Sequence, residues 1–178
     1  RDTLVIYLGD HGAQFPRGKL SCYEGGLRVP LIVRWPGRAK QGLVRDHLVA
    51  TVDILPTVLD VVGAKVPPGL PGRSMLPLLR GDDVAWREYL FAEYHSHYPP
   101  LYFPQRTVRD ARFKLIVNLL EDRKNPVTPT GKAGIPGRAY VTSADLAAAT
   151  EEVRRAYATW RDAPPVELYD LERDPYEF

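Results

Sequence analysis

The sequence predicts an α/β fold up to about residue 100, followed by a smaller α+β lobe with an antiparallel sheet and one long helix. Three stretches carry that expectation. TLVIYLG (residues 3–9) is an unbroken β-branched and apolar run, the pattern of a strand buried on both faces of a parallel sheet. TVDILPTVLDVVG (51–63) places Ile54, Leu55, Val58, Leu59 and Val62 on one face of a helix. RTVRDARFKLIVNLL (106–120) reads as two strands around a short turn near Asp110-Ala111, and hence as antiparallel.

The other elements follow in chain order. VPLIVRW (29–35) predicts a second strand, stopped by Pro36-Gly37. In the 51–63 helix Asp53 is expected as the N-cap and Gly63 as the stop, and Pro56 sits in the first turn, where its missing N–H is not needed. VPPGLPGRS is a rigid loop before a short helix at 75–79, and YLFAEYH (89–95) is another strand. Residues 121–141 are polar and rich in Pro and Gly, a loop. TSADLAAATEEVRRAYATWRD then predicts a helix opened by a cap at Thr142 and Asp145. Its stripe Leu146, Ala149, Val153, Tyr157 and Trp160 faces a core, with Arg154, Arg155 and Arg161 solvated. VELYDLERDP closes as a strand and turn. Only about three strands precede residue 100, fewer than a sheet covered on both faces usually has, so the sequence is expected to be the C-terminal portion of a larger enzyme.

Bulk properties narrow the function classes. With 44% hydrophobic and 26% charged residues among 178, the chain is an ordinary globular one and not a disordered segment. A net charge of +2 gives no footprint for nucleic acid. No apolar run is long enough to cross a bilayer, so neither nucleic acid nor membrane is expected as a partner. The single cysteine, Cys22, excludes an internal disulfide and a multi-cysteine zinc site, which leaves the compartment open. Its neighbours supply no orienting base, so it reads as a small packing residue. Ser74 in GRSML lacks the second glycine of a nucleophile elbow.

Chemistry concentrates in LGDHGAQFPRGKLSCYEGGLRVP (8–30). In open α/β sheets ligands gather beyond the carboxyl ends of strands, and Asp10 and His11 follow the first strand directly. A carboxylate there suits a hard divalent cation, and the imidazole can join the coordination or donate to an anion. Lys19, eight residues after His11, can bring an ammonium to the same place, where it would pair with a tetrahedral oxyanion. Metal plus lysine is what sulfuryl or phosphoryl transfer needs. The plain alternative is a capped turn with a solvated lysine. A second cluster, YHSHYPPLYFPQR (94–106), gathers His95, His97, aromatic rings and Arg106 in a proline-stiffened loop, suited to a sugar face and an anionic group.

LGDHG, GK-x-x-x-YEGG-x-RVP, VDILPTVLD, GRSMLPLL and ELYDLERDPYEF, in this order, resemble the C-terminal half of a type I sulfatase of the alkaline-phosphatase-like superfamily. FAEYHSHYPPLYFPQRTVRDARFKLIVNLL is similar to the sulfoglucosamine sulfohydrolase (heparan N-sulfatase) branch. The resemblance implies that residues 1–100 are the end of the catalytic α/β sandwich and 101–178 a C-terminal α+β subdomain. It implies Asp10 and His11 as ligands of calcium (or magnesium), and Lys19 on the sulfate oxygens. His97 and Arg106 match positions in the branch's substrate pocket, and His95 has no clear counterpart. His11 or another histidine would protonate the leaving group. Tyr23, Glu24, Gly25 and Gly26 match the YEGG turn, which is read as architecture, with Glu24 anchoring the loop and Arg28 structural.

The nucleophile implied by the resemblance is a formylglycine made in a C/S-x-P/A-S-R motif, which does not occur here, and the paired N-terminal aspartates that complete the metal site are missing too. The expectation is therefore half a metal site, a sulfated sugar or other small sulfate ester as substrate, a missing N-terminal part of the same protein as partner, and no hydrolysis by the isolated chain. The rivals are a phosphonate monoester or phosphodiester hydrolase of the same superfamily and a non-catalytic binder on the sulfatase scaffold.

Overall fold

The structure is a computed structural model that describes residues 2–97, 99–120, 122–127 and 141–178. Most of the loop expected at 121–141 lies outside these residues. Among them the elements are β1 (Val5–Leu8), α1 (Glu24–Leu27), β2 (Leu31–Arg34), α2 (Ile54–Val61), α3 (Leu76–Arg80), β3 (Leu90–Tyr94), β4 (Gln105–Arg109), β5 (Phe113–Asn118), α4 (Ser143–Ala148), α5 (Glu151–Arg161) and β6 (Val166–Asp170). The chain parts into two compact units, Arg1–Asp10 with Pro30–Leu90, and His11–Val29 with Phe91–Phe178. The segment carrying His11 and Lys19 thus belongs with the C-terminal lobe, a partner that sequence proximity to β1 does not reveal.

In the first unit β1 pairs with β2, and the pairing is antiparallel, with Tyr7 opposite Ile32. This corrects the expected parallel strand buried on both faces. Tyr7 and Ile32 are 64% and 61% exposed and share one face, while Ile6, Leu8, Leu31 and Val33 line the half-buried other. An apolar run reports burial propensity and is silent on strand direction, which explains the misreading. Asp53 stands at the N-cap position of α2 as expected, but its side chain makes no capping bond to that helix. It lies in a 3₁₀ turn ahead of the helix, and its carboxylate accepts the amides of Ala50 and Arg73, both at 2.8 Å. Arg87 completes the site with a 2.7 Å bond to the same carboxylate. The Thr57 hydroxyl donates to the Asp53 carbonyl (2.6 Å) and accepts the Met75 amide (2.9 Å), tying α2 to the start of α3. Ser74 donates to Asp60 at 2.6 Å and accepts the Leu76 amide, which accounts for its hydroxyl structurally.

In the second unit four strands lie in the order β3-β4-β5-β6. The β4–β5 hairpin is antiparallel as expected, and Asp110 closes its turn by accepting the amides of Arg112 (2.7 Å) and Phe113 (2.6 Å). β6 adds antiparallel to β5. The helical stretch from Thr142 is built as two helices. Thr142 and Asp145 form the expected capping box, the chain turns extended at Ala149, and Thr150 caps α5 through the Val153 amide. Trp160, fully buried, and Ala156 are the core residues of α5, with Tyr157 beside them, while Arg154, Arg155 and Arg161 are exposed as read. Cys22, Tyr23, Leu101, Ile116, Val127 and Trp160 make the core of this unit.

Candidate active site

The loop from His11 to Val29 is wound so closely that it leaves glycines no room for a side chain. The Gly12 amide donates to the Gly26 carbonyl at 2.9 Å, and a Cβ on Gly12 would collide with the Gly25 carbonyl. Gly26 is hemmed in by the carbonyls of Gly18 and Ser21. Neither residue of the glycine pair lies in the left-handed region, so what the pair supplies is space, not an unusual backbone path. The unusual dihedrals fall elsewhere, at Arg17 (φ 58°) and Leu20 (φ 75°). Between them Lys19 is half-buried, its amide bound to the Ala13 carbonyl at 2.9 Å. Among the described residues no carboxylate pairs with its ammonium. His11 is exposed, with Nδ1 2.8 Å from the Gly12 carbonyl oxygen. Asp10, also exposed, is the last residue of the first unit's opening segment.

Behind this loop lies an ionic cluster that sequence reasoning located only at Glu24. Lys114, fully buried on β5, sits 3.1 Å from Glu24 Oε1 and 2.8 Å from Glu177 Oε1. Arg109 on β4 holds the other Glu24 oxygen at 2.6 Å. Glu177 Oε2 accepts the Glu24 amide at 2.6 Å. The Arg17 guanidinium donates to the carbonyls of Tyr176 (3.4 Å) and Glu177, and lies 4.1 Å over the Tyr23 ring. Burial pushes the Glu177 carboxyl above the usual carboxylate range, with Lys114 and the Glu24 amide pulling the other way. One signal for Lys114 was available: alternation along FKLIVN puts it on the same face as Ile116 and Asn118.

A chain of buried hydrogen bonds joins the loop to the sheet. The Cys22 amide donates to Gln105 (3.2 Å), Gln105 to Asn118 (2.7 Å), and Asn118 to Glu167 (2.7 Å). The Tyr23 hydroxyl donates to the other Glu167 oxygen at 2.8 Å, and Tyr169 shares that acceptor. Burial, followed by the Glu167 charge, pushes both phenols far above their ordinary range. Burial likewise pushes the Cys22 thiol up to about 12, so it holds its proton at neutral pH and is no nucleophile.

His95 and Arg106 meet at Glu93 on β3, whose Oε2 is 3.4 Å from His95 Nε2 and 4.0 Å from Arg106 Nε. All three are exposed, as is His97. The Phe103 amide closes the His95 loop on the His95 carbonyl at 3.0 Å. Arg106 leaves β4 on the face opposite Gln105 and Thr107, away from the side that carries the Cys22 hydrogen bond.

Among the described residues no three His, Cys, Asp or Glu side chains assemble as a metal centre. Asp10 and His11 are consecutive in sequence, and carboxylate and imidazole are donor types that a divalent cation accepts.

The family described as N-sulphoglucosamine sulphohydrolase, C-terminal, matches residues 9–125, a span that holds the glycine-wound loop, Glu93 and the β4–β5 hairpin. The chain belongs to this sulfatase family. An ulvan-active sulfatase of Formosa agariphila is 34% identical over 178 residues, covering 99% of this chain and 32% of that one. The structure of a 2-O GAG sulfatase matches with a TM-score of 0.65 and 26% identity over 98% of this chain and 30% of that one. A phosphonate monoester hydrolase from Silicibacter pomeroyi matches with a TM-score of 0.54 and 30% identity, over 64% of this chain and 26% of that one. The chain spans about a third of the length of the curated relatives it matches along nearly its whole extent. Its fold is the alkaline-phosphatase-like fold of sulfatases, represented by mixed α/β structure with two sheets among the described residues.

Proposed function

We propose that this chain is the C-terminal portion of a sulfatase that hydrolyses sulfate esters or N-sulfate groups on a sugar. The observation that carries the reading is the wound loop around Lys19: a half-buried lysine with no carboxylate partner among the described residues, held between two left-handed residues in the family's own segment.

Lys19 has the role of binding the nonbridging sulfate oxygens and offsetting the charge that gathers there as the S–O or S–N bond breaks. His11, or a histidine of the 95–97 loop, delivers a proton to the departing oxygen or nitrogen. Asp10 and His11 would hold calcium or magnesium, which when bound polarises the sulfate. The formylglycine of the family has no motif in these 178 residues and belongs to the remainder of the protein. His95, His97 and Arg106 are proposed as sugar contacts. An anionic substrate group approaching Arg106 competes with Glu93, which already offsets part of its charge.

Sulfate is preferred over phosphonate because the sulfatase matches run over 98–99% of the chain and the phosphonate hydrolase match over 64%. The test is release of sulfate from N- and O-sulfated glucosamine by a longer polypeptide carrying this sequence, with phosphonate and phosphate monoesters alongside. The expected result is sulfate release that Lys19→Ala lowers by about 10²–10³-fold in kcat/KM, and no turnover by the 178-residue chain alone. Full activity in Lys19→Ala, or a preference for phosphonates, overturns the proposal.

A further inference from the structure

We infer that Glu177 is a positioning residue for Lys19, acting through Arg17 and Glu24, a role that rests on the sulfatase reading of Lys19. The two residues sit on opposite sides of Lys19 in the chain, and both are tied to the turn after β6. The Glu177 carboxylate takes the Glu24 amide at 2.6 Å and the Lys114 ammonium at 2.8 Å. Its carbonyl takes the Arg17 guanidinium, which lies over the rings of Tyr23 (4.1 Å) and Phe178 (5.4 Å).

The backbone gives a second, independent reason. Among the described residues the non-glycine residues with positive φ are Arg17, Leu20 and Glu177 (φ 59°). Two of the three flank Lys19, and the third is the residue that grips the loop. A left-handed conformation costs about 1–2 kcal/mol at each such residue and persists only where surrounding contacts over-determine it. At Arg17 they include the carbonyls of Tyr176 and Glu177, alongside the Ser21 hydroxyl on the Arg17 carbonyl and the Lys19 amide on Ala13. Loss of the Glu177 carboxylate leaves the Arg17 bond to the Glu177 backbone in place and frees the Glu24 amide, so the slackening enters the loop from its Glu24 end and redirects the Lys19 side chain.

Glu177 is buried with its carboxylate on Glu24 and Lys114, so its removal is expected to affect turnover only as far as Lys19 moves. Glu177→Ala in the longer polypeptide is expected to lower kcat by about 10–100-fold, the scale of a displaced catalytic group. Glu177→Gln, which keeps an acceptor for the Glu24 amide, retains most of the rate. In a Lys19→Ala background, Glu177→Ala is expected to cost nothing further, because the group it positions is gone. Costs that multiply fully in the double variant overturn the positioning role. Amide hydrogen exchange supplies a readout independent of activity: in Glu177→Ala, residues 12–26 exchange at least about tenfold faster while β4 and β5 keep their protection. Unchanged exchange in 12–26 overturns the inference whatever the protein hydrolyses, whereas loosened exchange without any sulfatase activity removes the proposed function and leaves the clasp standing.

Discussion

At the scale of single residues, burial decides chemistry that residue type leaves open. Cys22 and Lys114 are both fully buried, and the outcomes are opposite because their partners are opposite. The thiol lies in the apolar core with Tyr23, Leu101, Ile116 and Trp160 and stays protonated, with burial pushing it up to about 12. Native protein at pH 8 is therefore expected to resist iodoacetamide at Cys22 and to react stoichiometrically once unfolded in urea, as read by intact mass. The ammonium of Lys114 instead has two carboxylates, Glu24 and Glu177, within 3.1 Å. Lys114→Met leaves both acids buried without that counterion, and its expected cost is about 3–5 kcal/mol in urea unfolding. A loss below about 1 kcal/mol would mean that Arg109 alone satisfies the pair.

At the scale of elements, the His11–Val29 loop holds its shape by close approach of backbone to backbone. Gly12→Ala introduces a methyl group where the Gly25 carbonyl already lies. By contrast Gly37 has open space around it and a positive φ of 73°. Gly37→Ala is thus expected to cost about 1–2 kcal/mol from backbone conformation alone. Gly12→Ala must displace the glycine turn itself, so its expected signature is a larger stability loss together with faster amide exchange across 12–26. Equal effects from the two substitutions in thermal unfolding would argue that the loop is looser than its glycines imply. The same scale explains the helical region after Thr142. A continuous apolar stripe was legible, yet Thr150 competes as a second cap, and an intervening Ala149 in extended conformation breaks the stripe into two helices.

At the scale of the whole molecule, each unit rests on a buried carboxylate, which makes stability depend on pH. Asp53 anchors the first unit. Burial acts to raise its pKa, but the Arg87 hydrogen bonds and the amides of Arg73 and Ala50 outweigh it and hold the carboxyl below the usual range. A carboxylate depressed in the folded state contributes stability that is complete above its unfolded pKa of about 4 and fades as pH falls through the lower folded value. Asp53→Asn is expected to destabilise the protein by about 3–5 kcal/mol at pH 7, where Arg87 loses its partner, with the gap from the parent closing as the pH drops below about 4. A gap that stays constant from pH 7 to pH 3 in chemical denaturation would show that the ionised form carries no special weight.

Local sequence by itself determined where most of the strands and helices lie, the antiparallel β4–β5 hairpin, the Thr142 cap and the glycine-bounded loop that carries Asp10, His11 and Lys19. Apolar periodicity, turn chemistry and capping are local signals, and they act within a few residues of where they are written. Tertiary structure alone decided that β1 runs against β2, that His11–Val29 joins the C-terminal unit, and that Glu177 and Lys114 close on Glu24 across 153 and 90 positions of chain. Such pairings depend on charges and carbonyls brought together by the sheet, and no periodicity in a single sequence reports which distant partner will satisfy a buried group.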